Sequence, residues 1–195
     1  MAVQDGYAYV AGLATGLHVI DVSDPNWPIE VGYFPSEAPC LSVVAEDKYV
    51  YLTDSEGLWI VDVANPVWPI AIARYPQAST KEAKVRGDYA YLVCHRPGLE
   101  VLDISDKTRP TQVTSVNYYS TLSAGAKILS LSEDYLYLAC HTSTAVTQAP
   151  GLLAVLAISK PSLPREILTY KLPGQPPTLP PRMILRLWIV ARPAY

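Results

Sequence analysis

The chain has 195 residues, of which 50% are hydrophobic and 17% are charged, and its formal net charge is −3. This balance excludes disorder over the first 170 residues, and a slightly acidic chain lacks the basic stripe that nucleic-acid binding requires. No stretch approaches the roughly 20 apolar residues of a membrane helix, so we expect no membrane insertion. The opening MAVQDGYAYVAG has neither a basic nor a long apolar region, so we expect no signal peptide.

The residue types favour strands and turns. The chain has 14 Tyr against one Phe, together with 18 Pro and 10 Gly. Tyr is enriched in strands, whereas Pro and Gly mark turns, so we expect an all-β fold. The three cysteines cannot all pair within the chain, and nothing in their spacing indicates a disulfide framework.

One strand-rich block recurs along the chain. GLHVIDVSDPNWPIEVGYF begins at Gly16, GLWIVDVANPVWPIAIARY at Gly57 and GLEVLDISDKTRPTQVTSV at Gly98. A fourth, eroded copy, GLLAVLAISKPSLPREILTY, begins at Gly151. A second block precedes each copy: DGYAYVAG, DKYVYLTD, GDYAYLVCH and EDYLYLACH. The copies define four units, at approximately residues 2–40, 41–80, 81–124 and 125–170.

The residues of each unit follow a period of two, in which Tyr49 and Tyr51 point one way and Val50 and Leu52 point the other. In the second unit this predicts four strands, around Ser42–Ala45, Tyr49–Thr53, Leu58–Val63 and Ile70–Tyr75. A repeat of 41 residues with four antiparallel strands is typical of one propeller blade. We therefore predict a β-propeller of four-stranded antiparallel blades with about four repeats, forming an incomplete ring or a small one.

The repeated GLHVIDVSDP, GLWIVDVANP and GLEVLDISD resemble the LVIVD repeat, which is named for this run of residues. The resemblance covers about residues 2–170 and is weakest in the fourth copy, where Ala157 stands in place of the acid. It implies a β-propeller and a binding role, in proteins that are often secreted or attached to the cell surface. It carries over no catalytic residue and no cofactor.

The acids Asp21, Asp62 and Asp103 end the third predicted strand of their units and lie 41 residues apart. A catalytic acid needs one tuned environment rather than three equal ones, so we interpret these acids as turn residues that accept hydrogen bonds from backbone N–H groups. We also expect the glycine that begins each third strand to adopt a positive φ in the hairpin before it. These glycines are Gly16, Gly57, Gly98 and Gly151.

Cys94-His95 and Cys140-His141 occupy the same place in consecutive units. Both residue types bind zinc, but the spacing is not that of a zinc knuckle, and equivalent points on adjacent blades lie about 10 Å apart. Packing of a duplicated sequence is the favoured interpretation, with a metal site as the weak alternative.

Trp27 and Trp68, each followed by Pro, lie in the connection after the third strand, where the third unit has Arg109. Trp and Arg are enriched at binding hot spots, so these three residues are our candidates for ligand contact, although a Trp can also tuck over the gap between blades. The long loop from His141 to Gly151 is equally consistent with a neutral insertion and with an interaction loop.

Enzyme motifs such as HExxH, GxSxG and the P-loop are absent from the sequence. We expect a non-catalytic repeat module, without a cofactor, that binds a protein or glycan partner. The alternatives are a propeller enzyme with its site at the channel mouth and a structural fragment of a larger surface protein. We expect residues 171–195 to form a Pro-rich linker in which 187–191 resembles one strand of a further blade. This strand fits either the start of a further blade in a longer propeller or the closure of a four-bladed ring by pairing with the first unit.

Overall fold

The computed structural model describes residues 1–95, 98–117, 125–141, 143–144, 147–148 and 151–172. Over these residues the chain forms strands and turns, and none of them is helical. No helix that could span a membrane occurs in this part of the chain. The strand expected at 187–191 lies outside the described residues.

Sixteen of the strands form four sheets of four, one for each repeat. The first sheet contains β1 (Ala2–Gln4), β2 (Tyr7–Gly12), β3 (Gly16–Asp21) and β4 (Ile29–Pro35). The second contains β5 (Cys40–Glu46), β6 (Tyr49–Asp54), β7 (Gly57–Asp62) and β8 (Ile70–Pro76). The third contains β9 (Thr80–Arg86), β10 (Tyr89–Cys94), β11 (Gly98–Asp103) and β12 (Thr111–Asn117). The fourth contains β13 (Gly125–Leu131), β14 (Tyr135–His141), β17 (Leu152–Ala157) and β18 (Arg165–Lys171), and a small pair consists of β15 (Ser143–Thr144) and β16 (Thr147–Gln148).

Each four-stranded sheet is an antiparallel meander in chain order. The register between the third and fourth strands shifts at the same place in every repeat. Such a shift is a β-bulge, in which two residues of one strand oppose one residue of its partner. The shifts fall at Val19/Ile20, Ile60/Val61, Val101/Leu102 and Val155/Leu156.

The core lies between successive sheets, because each strand directs alternate side chains to its two neighbours. Leu17 and Val19 of the first sheet pack with Leu52 and Val61 of the second. The second sheet in turn packs its other face against the third, and the third against the fourth. Four antiparallel sheets packed face to face in chain order confirm the predicted blade architecture.

Candidate functional site

The strand connections lie at two opposite ends of the sheets, because the strands within each sheet are antiparallel. We call the end with the connections after each third strand the turn face; these connections are residues 22–28, 63–69, 104–110 and 158–164. We call the opposite end the hairpin face. It contains the connections between second and third strands and those between successive sheets.

The three repeated acids each fix a turn on the turn face. Oδ1 of Asp21 accepts a hydrogen bond from the Ser23 N–H at 2.9 Å, and Oδ1 of Asp62 accepts one from the Ala64 N–H at 2.8 Å. Asp103 accepts from the Ser105 N–H at 2.9 Å. Hydrogen bonds from the following serine lower the pKa of Asp21 and of Asp103. This bonding pattern is that of an Asx turn.

A second turn of constant geometry follows in each repeat. The N–H groups of Trp27, Trp68 and Arg109 each donate to the carbonyl three residues earlier at 3.0 Å, and that of Leu163 does so at 2.9 Å. The first two side chains are 73% and 71% exposed, and Leu163 is 67% exposed. Neither Trp is buried over a gap between blades, so both present their rings on the outside of the turn face.

The turn that carries Trp68 rests on the preceding blade. A Cβ atom added to Gly32, in β4, would lie 2.0 Å from the carbonyl oxygen of Pro66. Glycine at this position therefore lets the second turn approach the backbone of the first sheet. This contact fixes the position of Trp68 relative to the first blade.

Two of the repeated glycines are required for close packing on the hairpin face. Gly16 has a φ of +111°, and a Cβ atom there would lie 2.2 Å from the Phe34 carbonyl oxygen. Gly98 has a φ of +126°. Gly57 has a φ of +157°, and its Cβ would lie 2.1 Å from the Tyr75 carbonyl oxygen, so the expected positive φ is confirmed at Gly16, Gly57 and Gly98. Gly151 directly precedes β17, and its carbonyl accepts a 2.7 Å hydrogen bond from the Leu172 N–H.

The first Cys-His pair lies at the end of β10 on the hairpin face. Cys94 is fully buried, and burial together with the charge of Glu100 raises the pKa of its thiol to about 12. The His95 N–H donates to the Ser79 carbonyl at 3.0 Å. Cys140 and His141 end β14, but their side chains lie outside the described part of the chain. The weak metal alternative therefore stays untested, as does a role for the loop that follows them.

One position of the third strand carries a different residue in each blade. His18, Trp59 and Glu100 occupy it in repeats one to three, each as the third residue of its GL block, and the strand register places Ala154 there in repeat four. In the second blade, the Trp59 Nε1–H donates to the buried carboxylate of Asp54 at 2.8 Å, and the Arg74 guanidinium lies 4.6 Å from the Trp59 ring centre. These residues line a cleft of about 430 Å³ beside the connection from the first sheet to the second.

Glu100 is the buried acid of this series. It is 5% exposed, and one of its oxygens, Oε2, has no hydrogen-bond partner among the described residues. Burial raises the pKa of Glu100, although a hydrogen bond from Tyr75 opposes that effect. Burial and the nearby charge of Glu100 also raise the pKa of Tyr75, to about 12.

In the first blade, His18 is held between the hairpin and the fourth strand. Its Nε2 lies 2.6 Å from Oγ1 of Thr15, and its Nδ1 lies 2.8 Å from Oε1 of Glu30. Its ring centre is 5.2 Å from that of Tyr33, whose hydroxyl donates to the Thr15 carbonyl. This group could not be identified from the sequence, because its residues match no spacing motif.

The fold and the repeated turns define this protein as a β-propeller repeat protein. The LVIVD repeat model matches residues 1–35, 40–76, 78–118 and 125–171, so the chain belongs to the LVIVD repeat family, as the sequence predicted. No curated protein matches the chain.

Three solved structures show the same fold at low sequence identity. The computationally designed Ika8 protein has a TM-score of 0.67 and 8% identity, over 89% of this chain and 48% of that one. The N-terminal domain of Nup159 has a TM-score of 0.56 and 10% identity, over 89% of this chain and 44% of that one. A chain in the S. cerevisiae complex of Dbp5 with Nup159, Gle1, IP6 and ADP has a TM-score of 0.57 and 9% identity, over 85% and 46%. The chain thus spans less than half the length of these structures.

Proposed function

We propose that this chain is a binding module of an LVIVD propeller protein and that its turn face contacts a protein partner. The observation that carries this proposal is the exposure of Trp27 and Trp68, 73% and 71%, at equivalent positions of two rigid turns. Binding through this face requires no catalytic chemistry and no cofactor.

Exposed Trp side chains on fixed turns are well suited to act as binding anchors. The aspartate and asparagine side chains of these turns hold the backbone, since Asp24 Oδ1 accepts from the Asn26 N–H at 2.9 Å and Asn65 Oδ1 accepts from the Val67 N–H at 3.2 Å. Little backbone entropy is therefore lost when a partner covers the rings. Trp and Arg also dominate binding hot spots, and Arg109 takes the same place in the third blade.

The apolar surface extends beyond the two Trp side chains. Val67 is 59% exposed, and Ile29 and Ile70, at the start of the following strands, are 51% and 55% exposed. Exposed apolar side chains grouped in this way mark interaction surfaces in soluble proteins. The exposed apolar side chains of the first two repeats favour a protein partner, and a glycan that stacks on the Trp rings is the competing outcome of the test. The family resemblance supports a secreted or cell-surface setting for this interaction.

The test compares the double variant Trp27→Ala/Trp68→Ala with wild type and with Leu13→Ala. Leu13 is 64% exposed but lies on the hairpin face, so its substitution removes comparable apolar surface elsewhere. All three proteins are immobilised and exposed to extracts of the source cells and to a glycan array. Bound proteins are quantified by mass spectrometry.

We expect wild type and Leu13→Ala to capture a specific protein, and we expect the amount of that protein bound to the double variant to be at least tenfold lower. Its free energy of unfolding should change by less than about 0.5 kcal/mol, because exposed side chains contribute little to stability. An unchanged set of bound proteins would exclude the turn face, and loss of glycan signals alone would replace the protein partner with a glycan.

A further inference from the structure

A groove opens on the turn face where the first two blades meet. Its volume is about 390 Å³, and it lies between the two connections that join first to second strands and the turn that carries Trp68. Asp5 belongs to the connection of the first blade, Asp47 and Lys48 form that of the second, and Pro66 belongs to the turn. The walls are the sides by which these two blades pack together, so this junction alone determines their chemistry.

A buried tyrosine hydroxyl opens into the groove. Tyr9 pairs with Val19 in the first sheet, packs against the second sheet and is 4% exposed. Its hydroxyl has no hydrogen-bond partner among the described residues. Burial and the charge of Asp5 raise the pKa of Tyr9, so the hydroxyl keeps its proton. A phenol hydroxyl both donates and accepts, and this one is left to a ligand or to water.

Two carboxylates line the groove without a cation. Asp5 and Asp47 are exposed, and neither forms an ion pair with another residue of the described part of the chain. Lys48 also lines the groove, but its Nζ lies 5.3 Å from the centre of the Tyr49 ring and pairs with neither acid. The groove therefore holds two acids against one base.

The junction of the second and third blades supplies a cation from the chain itself. Tyr51 takes the place of Tyr9 there, and the charge of Asp88 acts on it. Nζ of Lys107 lies 4.0 Å from Oδ1 of Asp88. Lys107 occupies the position of Pro66 in the repeat, so the third unit carries a base where the second carries an apolar ring.

The junction of the third and fourth blades also contains its own cation. Nη1 of Arg86 donates to the Ser132 carbonyl at 3.0 Å and to the Glu133 carbonyl. The charge of Arg86 opposes the effect of burial on the pKa of Tyr91, which corresponds to Tyr9. A guanidinium group therefore lies beside the equivalent tyrosine in this junction, whereas the first junction has no such partner among the described residues.

An ammonium or guanidinium group matches the chemistry of the first groove. Carboxylates attract it, a phenol oxygen accepts its hydrogen bond, and aromatic rings such as those of Tyr7 and Tyr9 attract cations. A metal ion fits less well, because the described residues include no group of three or more His, Cys, Asp or Glu side chains that could hold one.

We propose that this groove receives a lysine or arginine side chain of the protein partner that covers Trp68. This role rests on the proposed function of the turn face and adds a positive charge to the chemistry of the partner. The groove and the turn are joined rigidly, since the Val63 N–H donates to the Lys48 carbonyl at 2.8 Å. A basic residue close to an apolar one on the partner therefore meets the groove and the Trp68 ring together.

The test titrates the protein with Nα-acetyl-arginine methylamide and, as its uncharged isostere, Nα-acetyl-citrulline methylamide. Binding is followed by the shifts of backbone amide signals in two-dimensional NMR, with the Val63 N–H as reporter. Asp5→Asn/Asp47→Asn removes both charges, and Tyr9→Phe removes only the hydroxyl. The two acids have φ of +51° and +54°, a conformation that Asn tolerates, so the double variant should stay folded.

Two matched controls remove the same groups elsewhere. Glu37→Gln/Glu133→Gln removes two exposed acids outside the groove. Tyr51→Phe removes the corresponding hydroxyl of the second junction. Both controls should bind the arginine probe like wild type.

We expect saturable binding of the arginine probe to wild type and at least tenfold weaker binding of the citrulline probe. Asp5→Asn/Asp47→Asn should weaken binding of the arginine probe at least tenfold, and Tyr9→Phe about fivefold, within the range of one hydrogen bond. Equal binding of the two probes would overturn the proposal, as would equal loss in the acid variant and in its control.

The capture experiment on the turn face separates this role from the proposed function. Asp5→Asn/Asp47→Asn should capture at least tenfold less of the partner than wild type. Unchanged capture by this variant, with capture lost by Trp27→Ala/Trp68→Ala, would exclude the groove and leave the proposed function intact. Capture lost by the acid variant but kept by the Trp variant would support the groove and refute the role of the Trp pair.

Discussion

Replacement of Glu100 by Gln should stabilise the protein at neutral pH. Glu100 is 5% exposed between the second and third blades, and its Oε2 has no partner among the described residues. An unsatisfied buried polar atom costs about 1–3 kcal/mol, and more when it is charged. Gln has nearly the same shape and carries no charge. Its amide group takes the place of the unpaired oxygen, so the expected gain comes from removing the buried charge rather than from satisfying the unpaired atom. We therefore expect a gain of at least about 1 kcal/mol, or roughly 2–4 °C in Tm for a chain of this size.

The gain should depend on pH in a defined direction. Burial raises the pKa of Glu100 above the ordinary value of 4.5. Below that value both the folded and the unfolded chain hold the proton, and the buried charge costs nothing. As pH rises through the folded-state pKa, the folded protein acquires the charge and loses stability. The difference between Glu100→Gln and wild type should therefore be smallest in acid and reach its maximum above the folded-state pKa.

Urea unfolding of both proteins from pH 4 to pH 8 measures this difference directly. Glu133→Gln serves as the control, because Glu133 is exposed and the same charge is lost at the surface. The control should follow wild type at every pH. A Glu100→Gln protein that is less stable than wild type, by an amount that is constant with pH, would show that the buried carboxylate is well paired and would refute the reasoning.

Two further predictions concern a glycine and a thiol. Gly16→Ala should lower the free energy of unfolding by about 2 kcal/mol or more, because its Cβ meets the Phe34 carbonyl oxygen. Gly87→Ala is the control: its φ is +56° and the space around its Cβ is open, so it should cost only about 1 kcal/mol. Equal losses in urea unfolding would mean that φ alone determines the cost. Cys94 should not react with a thiol reagent at pH 8 until urea unfolds the chain, because burial raises its pKa to about 12; labelling of its peptide in the native protein would contradict this.

The blades could be predicted from the sequence because local pattern determines them. Alternation with a period of two marks strands, and repetition of the same pattern four times identifies the blade, which the structure and the family match confirm. The ligand-contact candidates Trp27, Trp68 and Arg109 remain predictions. Their exposure could not be read from the sequence, since a Trp before Pro is equally compatible with a packed turn and an open one.

The hydrogen-bonded contacts of His18 with Thr15 and Glu30 could not be predicted, because they depend on a β-bulge. His18 pairs with Tyr33, but the register then shifts so that Ile20 pairs with Glu30 rather than with Val31. Without the shift, Glu30 would lie on the opposite face of the sheet from His18, because a one-residue slip reverses every side chain. No feature of the residue pattern specifies where the extra residue enters the strand.

The variable position of the third strand bears on how four similar repeats assemble correctly. Neighbouring units of near-identical sequence can exchange strands or dock in the wrong order during folding. Here Trp59 faces Phe34, with ring centres 5.5 Å apart, whereas Glu100 meets Tyr75. If the third blade docked in place of the second, the carboxylate of Glu100 would lie against the apolar ring of Phe34 and would lose its contact with the hydroxyl of Tyr75. At these two junctions, therefore, the residues that the repeats do not share favour docking of each blade against its own neighbour.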